Sequence, residues 1–475
     1  MLKNYLKIAL RNLLKEKQYA FINIFGLSLG MAVAILMMLY VVEEWTFDKF
    51  HSKSDRIYRA WVKEHYEGEI FFNTVTPFIL GRELEANFPE IEKVARVLIL
   101  SNTIRKGNFS DQEMVYLATP SFFEMFDFPF REGDASTALN GLQQIVISPD
   151  LAKKYFGETE VVGEALDIQI GGEWQQYQVS GIIEKAPGNS SFQFDMVMPF
   201  ENTKTFVSER ARSSWTNVFP ETYVLLKGGL DITSLEAKVA PFIDEQVAKI
   251  YQPGEYIVGF QPLEDIHLNN DYPSGMVAVS DWRYPYILSA IAILILILAG
   301  INFVTLAIGR SVTRAKEVGV RKVSGATRMQ LMQQFWSEAL VLTLIAVGIG
   351  VLIAELALPY FNLLAEKSMS LSYNWSTLAA LLALAIFLGL VAGIYPALVI
   401  SGFSPILALR GYISKLGSNK HLLLRSLVIF QFVLSVFLIT CTFIMQRQLN
   451  YLQNKNLGFD KEHLITFPHG VAPSG

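Results

Sequence analysis

Charged residues vanish from five long windows of this sequence: Gln18 to Val42, Tyr284 to Gly309, Ala339 to Ala354, Ser368 to Leu409 and Ser426 to Gln446 hold no Asp, Glu, Lys or Arg. A helix crossing a hydrocarbon core roughly 30 Å thick needs about 20 apolar residues. Four windows reach that length, and the third does so when Phe335 to Leu358 is taken as one helix with Glu338 and Glu355 near its ends. The pattern predicts membrane helices over about 19–42, 284–309, 335–358, 375–400 and 422–446, and it excludes a soluble globular protein. The first has basic residues before it, but it is longer than a signal core of about 7–15 residues and lacks a small-x-small cleavage site, so it reads as a retained anchor.

Residues 43–283 have a different texture. Arg56 to Tyr66 and Gln178 to Glu184 alternate as half-buried strands do, and Pro77 to Asn87 has helical spacing. In Ser148-Pro149-Asp150 through Gly157, Ser148 can cap the first amides, Pro149 suits the first helical position and Gly157 can adopt the left-handed stop. A segment of this length buries its own core. The fold class is therefore an α-helical integral membrane protein with a large α+β domain inserted between the first and second membrane helices. Ahead of the first helix, Leu2, Tyr5, Leu6, Ala9, Leu10 and Leu13 recur at helical spacing with Lys3, Lys7, Arg11 and Lys15 around the other side. Residues 1–18 thus predict an amphipathic cytoplasmic helix on the membrane surface, the alternative being a simple basic flank.

The net charge of −4 conceals a division: residues 43–283 carry −16 and the rest of the chain +12. Cations gather ahead of the first helix, between the second and third (Arg310, Arg314, Lys316, Arg321, Lys322, Arg328) and after the fourth (Arg410, Lys415, Lys420, Arg425). Short cytoplasmic loops retain Lys and Arg, which places these three stretches inside the cell and the acidic domain outside. Acidity of that kind argues against nucleic acid as a partner.

Signs of catalysis are missing. The lone Cys441 lies in the last apolar window, and the histidines at 51, 65, 267, 421, 463 and 469 show no metal-ligand spacing. No catalytic residue, no metal ligand, no G-x-x-x-x-G-K-[ST] phosphate loop and no G-x-S-x-G elbow is found. ATP-driven work therefore requires another polypeptide to bind the nucleotide. Within the membrane, Gly26 with Gly30 and Gly389 with Gly393 each put two small residues on one helix face, for packing inside the chain or at a dimer seam. Asn23 and Asn302 are polar at depth and read as interhelical hydrogen bonders in preference to substrate contacts.

The most informative stretch is 310–334. On a short helix, Val318, Val320 and Val323 offer a packing surface beside Arg321 and Lys322, suited to a groove on a cytoplasmic partner; a basic membrane flank is the alternative. Here the sequence resembles the MacB/FtsX-type permeases of ABC transporters. AKEVGVRKVSGATRMQLMQQFWSEAL is similar to that family's coupling segment, E-I-G-[IV]-R-[KR]-x-x-G-A-[ST] leading into a helix with an early Glu, with Glu317, Gly319, Arg321, Lys322, Gly325, Ala326, Thr327 and Glu338 on pattern. PALVISGFSPILALRG resembles the close of the fourth helix, matching at Pro396, Ala397, Pro405, Ile406, Ala408, Leu409 and Arg410. TPSFFEMFDFPFREGD, IVISPDLAKKYFGETEVVGEALDI and YQVSGIIEKAPGNSSFQFDMVMPF resemble segments of the family's periplasmic domain.

The resemblance implies a periplasmic core domain over 43–283, a permease domain over 284–410 with coupling loop 310–334, a cytoplasmic linker over 411–421, a fifth membrane helix over 422–446 and the start of an incomplete second periplasmic domain over 447–475. Duplicated members carry two external domains and eight membrane helices, so the chain is expected to represent one half and the first helix of another. ATPase coupling falls to Lys316, Glu317, Val318, Gly319, Val320, Arg321, Lys322, Val323, Gly325, Ala326 and Thr327. The implied partners are a cytoplasmic ABC ATPase dimer, a second permease half or homodimer partner, membrane lipid, and a periplasmic adaptor with an outer-membrane channel. No cofactor is expected on this chain, since ATP and Mg belong to the ATPase. The implied work, in the bacterial inner membrane, is mechanotransmission that exports or extracts a hydrophobic or amphipathic substrate; an FtsX-like regulator of a periplasmic enzyme or sensor is the alternative.

Overall fold

A computed structural model describes residues 11–277, 279–309, 311–400 and 418–455. The expected surface helix (for residues 1–10), the end of the fourth-helix motif, most of the 411–421 linker and most of 447–475 lie outside the described residues. The chain forms two units, one from Val42 to Pro285 and one from the helices before and after it. Helix α1 (Lys17–Trp45) leads into the first of these.

The sheet unit holds β1 (Ile57–Tyr66), β2 (Glu69–Asn73), α2 (Phe78–Asn87), β3 (Ile91–Lys106), β4 (Phe109–Ala118), β5 (Phe130–Glu132), β6 (Gln144–Ile147), α3 (Pro149–Phe156), β7 (Ala165–Ile170), β8 (Glu173–Ile183), β9 (Met196–Pro199), β10 (Glu221–Leu226), α4 (Ile232–Val247) and β11 (Tyr256–Pro262). The strands run β11-β1-β10-β3-β4-β9-β6-β8-β5, with β2 on β1 and β7 bridging β8 back to β3. That bridge closes β3, β4, β9, β6, β8 and β7 into a ring. Only β4 with β9 and β6 with β8 pair in parallel among the described strands. Local chemistry behaves as its residues require: the Ser148 hydroxyl accepts from the Leu151 amide at 3.1 Å, Pro149 opens α3, and Gly157 closes it at φ +81°.

Central strands are buried on both faces, and their two-residue period divides them between cores. In β10, Tyr223 and Leu225 point into an aromatic core with Phe122, Phe126 and Phe192, while Val224 and Leu226 point under α2 and α4 to meet Leu80, Leu84, Leu235 and Val239. Phe122 meets Phe192 edge-on at 5.1 Å between centroids, the geometry the ring quadrupoles favour. A third core, with Ile104, Val115, Ile147, Ile168 and Val179, fills the ring of strands beneath Leu151 and Tyr155 of α3.

At the β1–β10–β11 junction lies a charge pair without access to water. Arg59 and Glu221 have 0% and 1% of their side chains exposed and meet at 3.3 Å. Arg59 also donates to Gln261 Oε1 at 2.7 Å, and Glu221 accepts from the Tyr223 hydroxyl at 2.6 Å and the Met276 amide at 2.9 Å. Burial keeps the Tyr223 phenol protonated far above its ordinary range, so it remains a donor. The chain at 273–276 passes directly over the pair; a Cβ on Gly275 would sit 2.2 Å from Glu221 Oε1 and 2.5 Å from Thr74 Oγ1.

The helical unit adds α5 (Arg283–Gly309), α6 (Ser311–Val323), α7 (Arg328–Ala365), α8 (Trp375–Ile400) and α9 (Ser418–Asn454). By length and composition, Lys17–Trp45, Arg283–Gly309, Arg328–Ala365 and Arg425–Asn454 can cross a membrane, and α8 carries a shorter described apolar stretch, Trp375–Val391. Two helices run beyond their apolar windows. Helix α7 begins at Arg328, ahead of Phe335, because a capping box starts it and its early Gln and Met residues are good helix formers. Helix α9 extends over Ser418–Asn454, since its polar ends also favour helix.

Small residues make the seams. A Cβ on Gly26 or Gly30 would meet Asn302 Nδ2 at 3.4 Å or Ala299 Cβ at 3.0 Å on α5; one on Gly389 or Gly393 would meet Thr343 Oγ1 at 2.8 Å or Trp336 Cδ1 at 2.7 Å on α7. These four glycines therefore pack helices within the chain, and the Thr343 hydroxyl donates to the Ala385 carbonyl across the second seam at 3.1 Å. Asn23, expected to bond between helices, donates to the Tyr19 carbonyl of its own helix at 2.9 Å.

Removing one member of the buried pair strands the other charge, which costs about 3–5 kcal/mol. Glu221→Gln should therefore lower the sheet unit's stability by about that much, read by tryptophan fluorescence during chemical denaturation of the full chain in detergent. Asp150→Asn, which breaks an exposed 3.1 Å pair with Lys185, should change it by less than about 1 kcal/mol.

Candidate functional site

The stretch expected as a coupling loop is a helix, an elbow and the first turns of the next helix. Arg321 and Lys322 place positive charge in the last turn of α6, where the helix dipole favours it. Gly325 adopts φ +94°, a conformation costly for any residue with a Cβ. Its amide bonds the Lys322 carbonyl and that of Ala326 bonds the Arg321 carbonyl, each at 3.0 Å, satisfying the open end of α6. Thr327 then starts α7 through a reciprocal capping box with Gln330. Gly325, Ala326 and Thr327 thus shape a tight reversal between two helices.

Within α6 the three valines divide. Val318 is 3% exposed, whereas Val320 and Val323 are 53% and 68% exposed. One helical face cannot hold all three: at about 100° per residue, position 318 lies opposite the other two. The expected common packing surface is therefore corrected to an inward Val318 beside a buried Gly319, and an outward pair beside Lys322 and Glu317. The side chain of Lys316 lies outside the described residues.

Arg321 is the hinge of a polar chain. It pairs with Glu317 at 2.7 Å along α6 and donates to Gln334 Oε1 on α7. Gln334 donates onward to Glu338 at 3.0 Å, and Glu338 also accepts from Asn12 at 2.7 Å. Gln334 and Glu338 are 6% and 7% exposed, so they sit where an unmade hydrogen bond is expensive. The sequence reading singled out Arg321 and Glu338 but missed Gln334 and Asn12. A polar residue one turn before a buried Glu was the available signal for Gln334; Asn12 had none.

A second polar cluster binds the chain where it enters and leaves the sheet unit. His267 pairs with Glu44 at 3.1 Å and stacks on Phe47 at 3.5 Å between centroids, 3° from parallel. Asp48, four residues past Glu44, accepts from the Ser191 amide at 2.7 Å and from its hydroxyl. Burial pushes the Asp48 carboxyl up to about 6, against the lowering pull of the Ser191 bonds and of His267. His51 accepts from the Asp127 amide through Nδ1 at 3.0 Å, and burial pulls it down to about 4 although Asp127 opposes the shift. The His267 contact ties Glu44, at the end of α1, to the segment that follows β11.

These features define a membrane protein with a large mixed-sheet domain, a basic elbow between apolar helices and a polar tie from that elbow into the helical unit. The MacB-like periplasmic core domain matches residues 20–242 and the FtsX-like permease C-terminal domain matches 289–405. The ABC transporter permease YknZ of Bacillus subtilis is 27% identical over 268 residues, covering 56% of this chain and 61% of that protein. The macrolide export ATP-binding/permease protein MacB of Rhodopseudomonas palustris is 24% identical over 335 residues, covering 68% of this chain and 47% of that protein. The solved periplasmic region of MacB from Actinobacillus actinomycetemcomitans aligns with a TM-score of 0.31 at 10% identity, covering 42% of this chain and 87% of that structure. The matched part thus spans about half to three fifths of those full-length relatives. The chain thus carries the two domains, MacB-like periplasmic core and FtsX-like permease, that support a MacB/FtsX-type permease of ABC transporters.

Asp48 and His51 titrate with opposite consequences. Between its ordinary 3.8 and about 6, folded Asp48 holds a proton that the unfolded chain releases, so its contribution to stability falls as pH rises through that window. Between about 4 and its ordinary 6.5, unfolded His51 holds a proton that the folded chain refuses, so its contribution falls as pH drops. Relative to wild type, Asp48→Asn should lose stability more steeply on acidification from about pH 6 to 4, and His51→Gln less steeply, in melting curves of the full chain.

Proposed function

We propose that this permease couples ATP hydrolysis by a separate ABC ATPase to movement of its sheet unit, which lies in the periplasm of a bacterial inner-membrane protein. The observation that carries this reading is the hydrogen-bonded path from α6 through Arg321 to buried Gln334 and Glu338. In this reading the exposed Val320 and Val323 with Glu317 and Lys322 dock in a groove on the cytoplasmic ATPase dimer. ATP and Mg sit on that dimer. Closing it displaces α6, and Arg321 carries the displacement into α7, because a buried hydrogen-bonded chain shifts as a unit more readily than it parts.

Around the membrane, three basic stretches face the cytoplasm and the acidic domain faces out, as the distribution of Lys and Arg supports. The domain is fastened close to both of its connections, by Glu44 to His267 on one side and by Glu221 to the Met276 amide on the other. A pull on α1 or α5 therefore reaches the sheet through short polar ties. The work proposed is mechanotransmission: export or extraction of a hydrophobic or amphipathic substrate from the periplasmic side, with a second permease half or a second copy, and with a periplasmic adaptor and outer-membrane channel. The charge-free centres of the described membrane helices favour this over an ionic path at bilayer depth.

The test is reconstitution with the cognate ATPase in nanodiscs. Glu317→Lys should abolish copurification. Arg321→Ala should retain copurification and lower permease-dependent ATP hydrolysis about tenfold, the scale of a lost charge-assisted hydrogen bond. Hydrolysis and copurification unchanged in both variants would sink the assignment, and coupled hydrolysis with no efflux would move the reading to a regulator of a periplasmic protein.

A further inference from the structure

The sheet unit is strongly acidic, yet one of its pockets is basic. A cavity of about 530 Å³ opens where α2 meets the segment 200–212, lined by Arg82, Arg96, Lys204 and Arg212 against only Glu201 and Glu209. Two of the cations are neutralised locally: Lys204 pairs with Glu201, and Arg212 with Glu209, each three residues away on a helical turn. Exposed Arg82 pairs with its half-buried neighbour Glu83 at 3.2 Å. With Glu83 set against Arg82, one positive charge is left in excess, that of Arg96, inside a domain whose residues 43–283 carry −16.

Arg96 is held in an unusual way. Its guanidinium lies over the Phe200 ring at 4.5 Å from the centroid. Its methylenes press on Gly81 of α2, where an added Cβ would sit 2.8 Å from Arg96 Cδ and 3.0 Å from Cγ. Glycine inside a helix costs about 1 kcal/mol relative to alanine, and here it makes the room that lets this side chain pass. The side chain is 22% exposed and its nearest carboxylate, Glu201, is 3.8 Å away, beyond hydrogen-bond distance. Among the described residues the guanidinium has a stacking partner, a fixed stem and no hydrogen-bond acceptor, while it carries several donors in a rigid fork.

We infer that this pocket binds a phosphate group, with Arg96 as the anchoring donor and Arg82 and Arg212 flanking it. The planar fork of a guanidinium matches two oxygens of a phosphate. A phosphate offers more acceptor oxygens than a carboxylate, and Arg82 and Arg212 line the same cavity to meet those that the Arg96 fork leaves. Stacking on Phe200 leaves the fork's edge free for the ligand, and the pre-set side chain loses little freedom on binding. The phosphate can come from solution or from a lipid headgroup. The site is independent of ATPase coupling, since none of its residues lies in the helical unit.

The experiment is calorimetric titration of the full chain, in nanodiscs of neutral phosphatidylcholine, with inorganic phosphate and with a short-chain phosphatidic acid. Wild type should bind one or both saturably. Arg96→Gln should weaken binding about tenfold or more. Gly81→Ala, which leaves every charge in place but intrudes on the Arg96 stem, should weaken it too. Saturable binding of the lipid alone assigns the phosphate to a headgroup, and binding of both assigns it to the phosphate itself. No saturable binding of either probe overturns the inference, as does binding by wild type that Arg96→Gln and Gly81→Ala leave unchanged. If Arg96→Gln fails to fold, Gly81→Ala and Arg212→Gln carry the test, with melting curves to show that each is native.

Discussion

Arg59 and Glu221 face each other fully buried, 162 residues apart along the chain, and much of the sheet unit is organised by what that pair requires. A buried charge pair holds only if its remaining donors and acceptors are met. Gln261 from β11, Tyr223 from β10 and the amide of Met276 meet most of them, and the Arg59 Nε–H is left without an acceptor. Three strands and the connection toward α5 are thereby committed to one register. Gly275 follows as a consequence, since any side chain there would land on the Glu221 carboxylate. Such a pair adds little net stability over a well-packed apolar substitute, but it penalises every arrangement that parts it.

The helical unit solves its problem by other means. Among apolar helices in lipid the hydrophobic effect does not choose partners, so close backbone approach and a few hydrogen bonds do. Gly26 and Gly30 bring α1 to α5, Gly389 and Gly393 bring α8 to α7, and Gly350 places α7 against Met31 and the Ser28 carbonyl of α1. The polar chain from Glu317 to Asn12 runs through this packing. An elbow closed by a left-handed glycine and a capping box has little slack, which is the property a segment needs if displacement of α6 is to reach α7.

Much of this was legible in the residues. Ser148, Pro149 and Gly157 mark α3 to the residue, and Gly325 and Thr327 stand out in the sequence at the elbow they form. These succeed because caps, left-handed glycines and hydrophobic length act over a few neighbouring residues. Local pattern misleads where a residue's face matters: the three valines of α6 look like one surface in the sequence, and helical geometry divides them.

By itself, then, the sequence determined that several apolar helices accompany an acidic α+β segment over 43–283, and it carried the resemblance to the MacB/FtsX-type permeases. Tertiary structure alone decided that Arg59 meets Glu221, that His267 stacks on Phe47 beside Glu44, that Gln334 links Arg321 to Glu338, and that Arg96 lies between Gly81 and Phe200. Each of these joins residues from different elements, often far apart in the chain. Periodicity reports which face of an element is buried and is silent about what it is buried against. A polar side chain at a buried position therefore announces that it needs a partner, and only the packed chain says which.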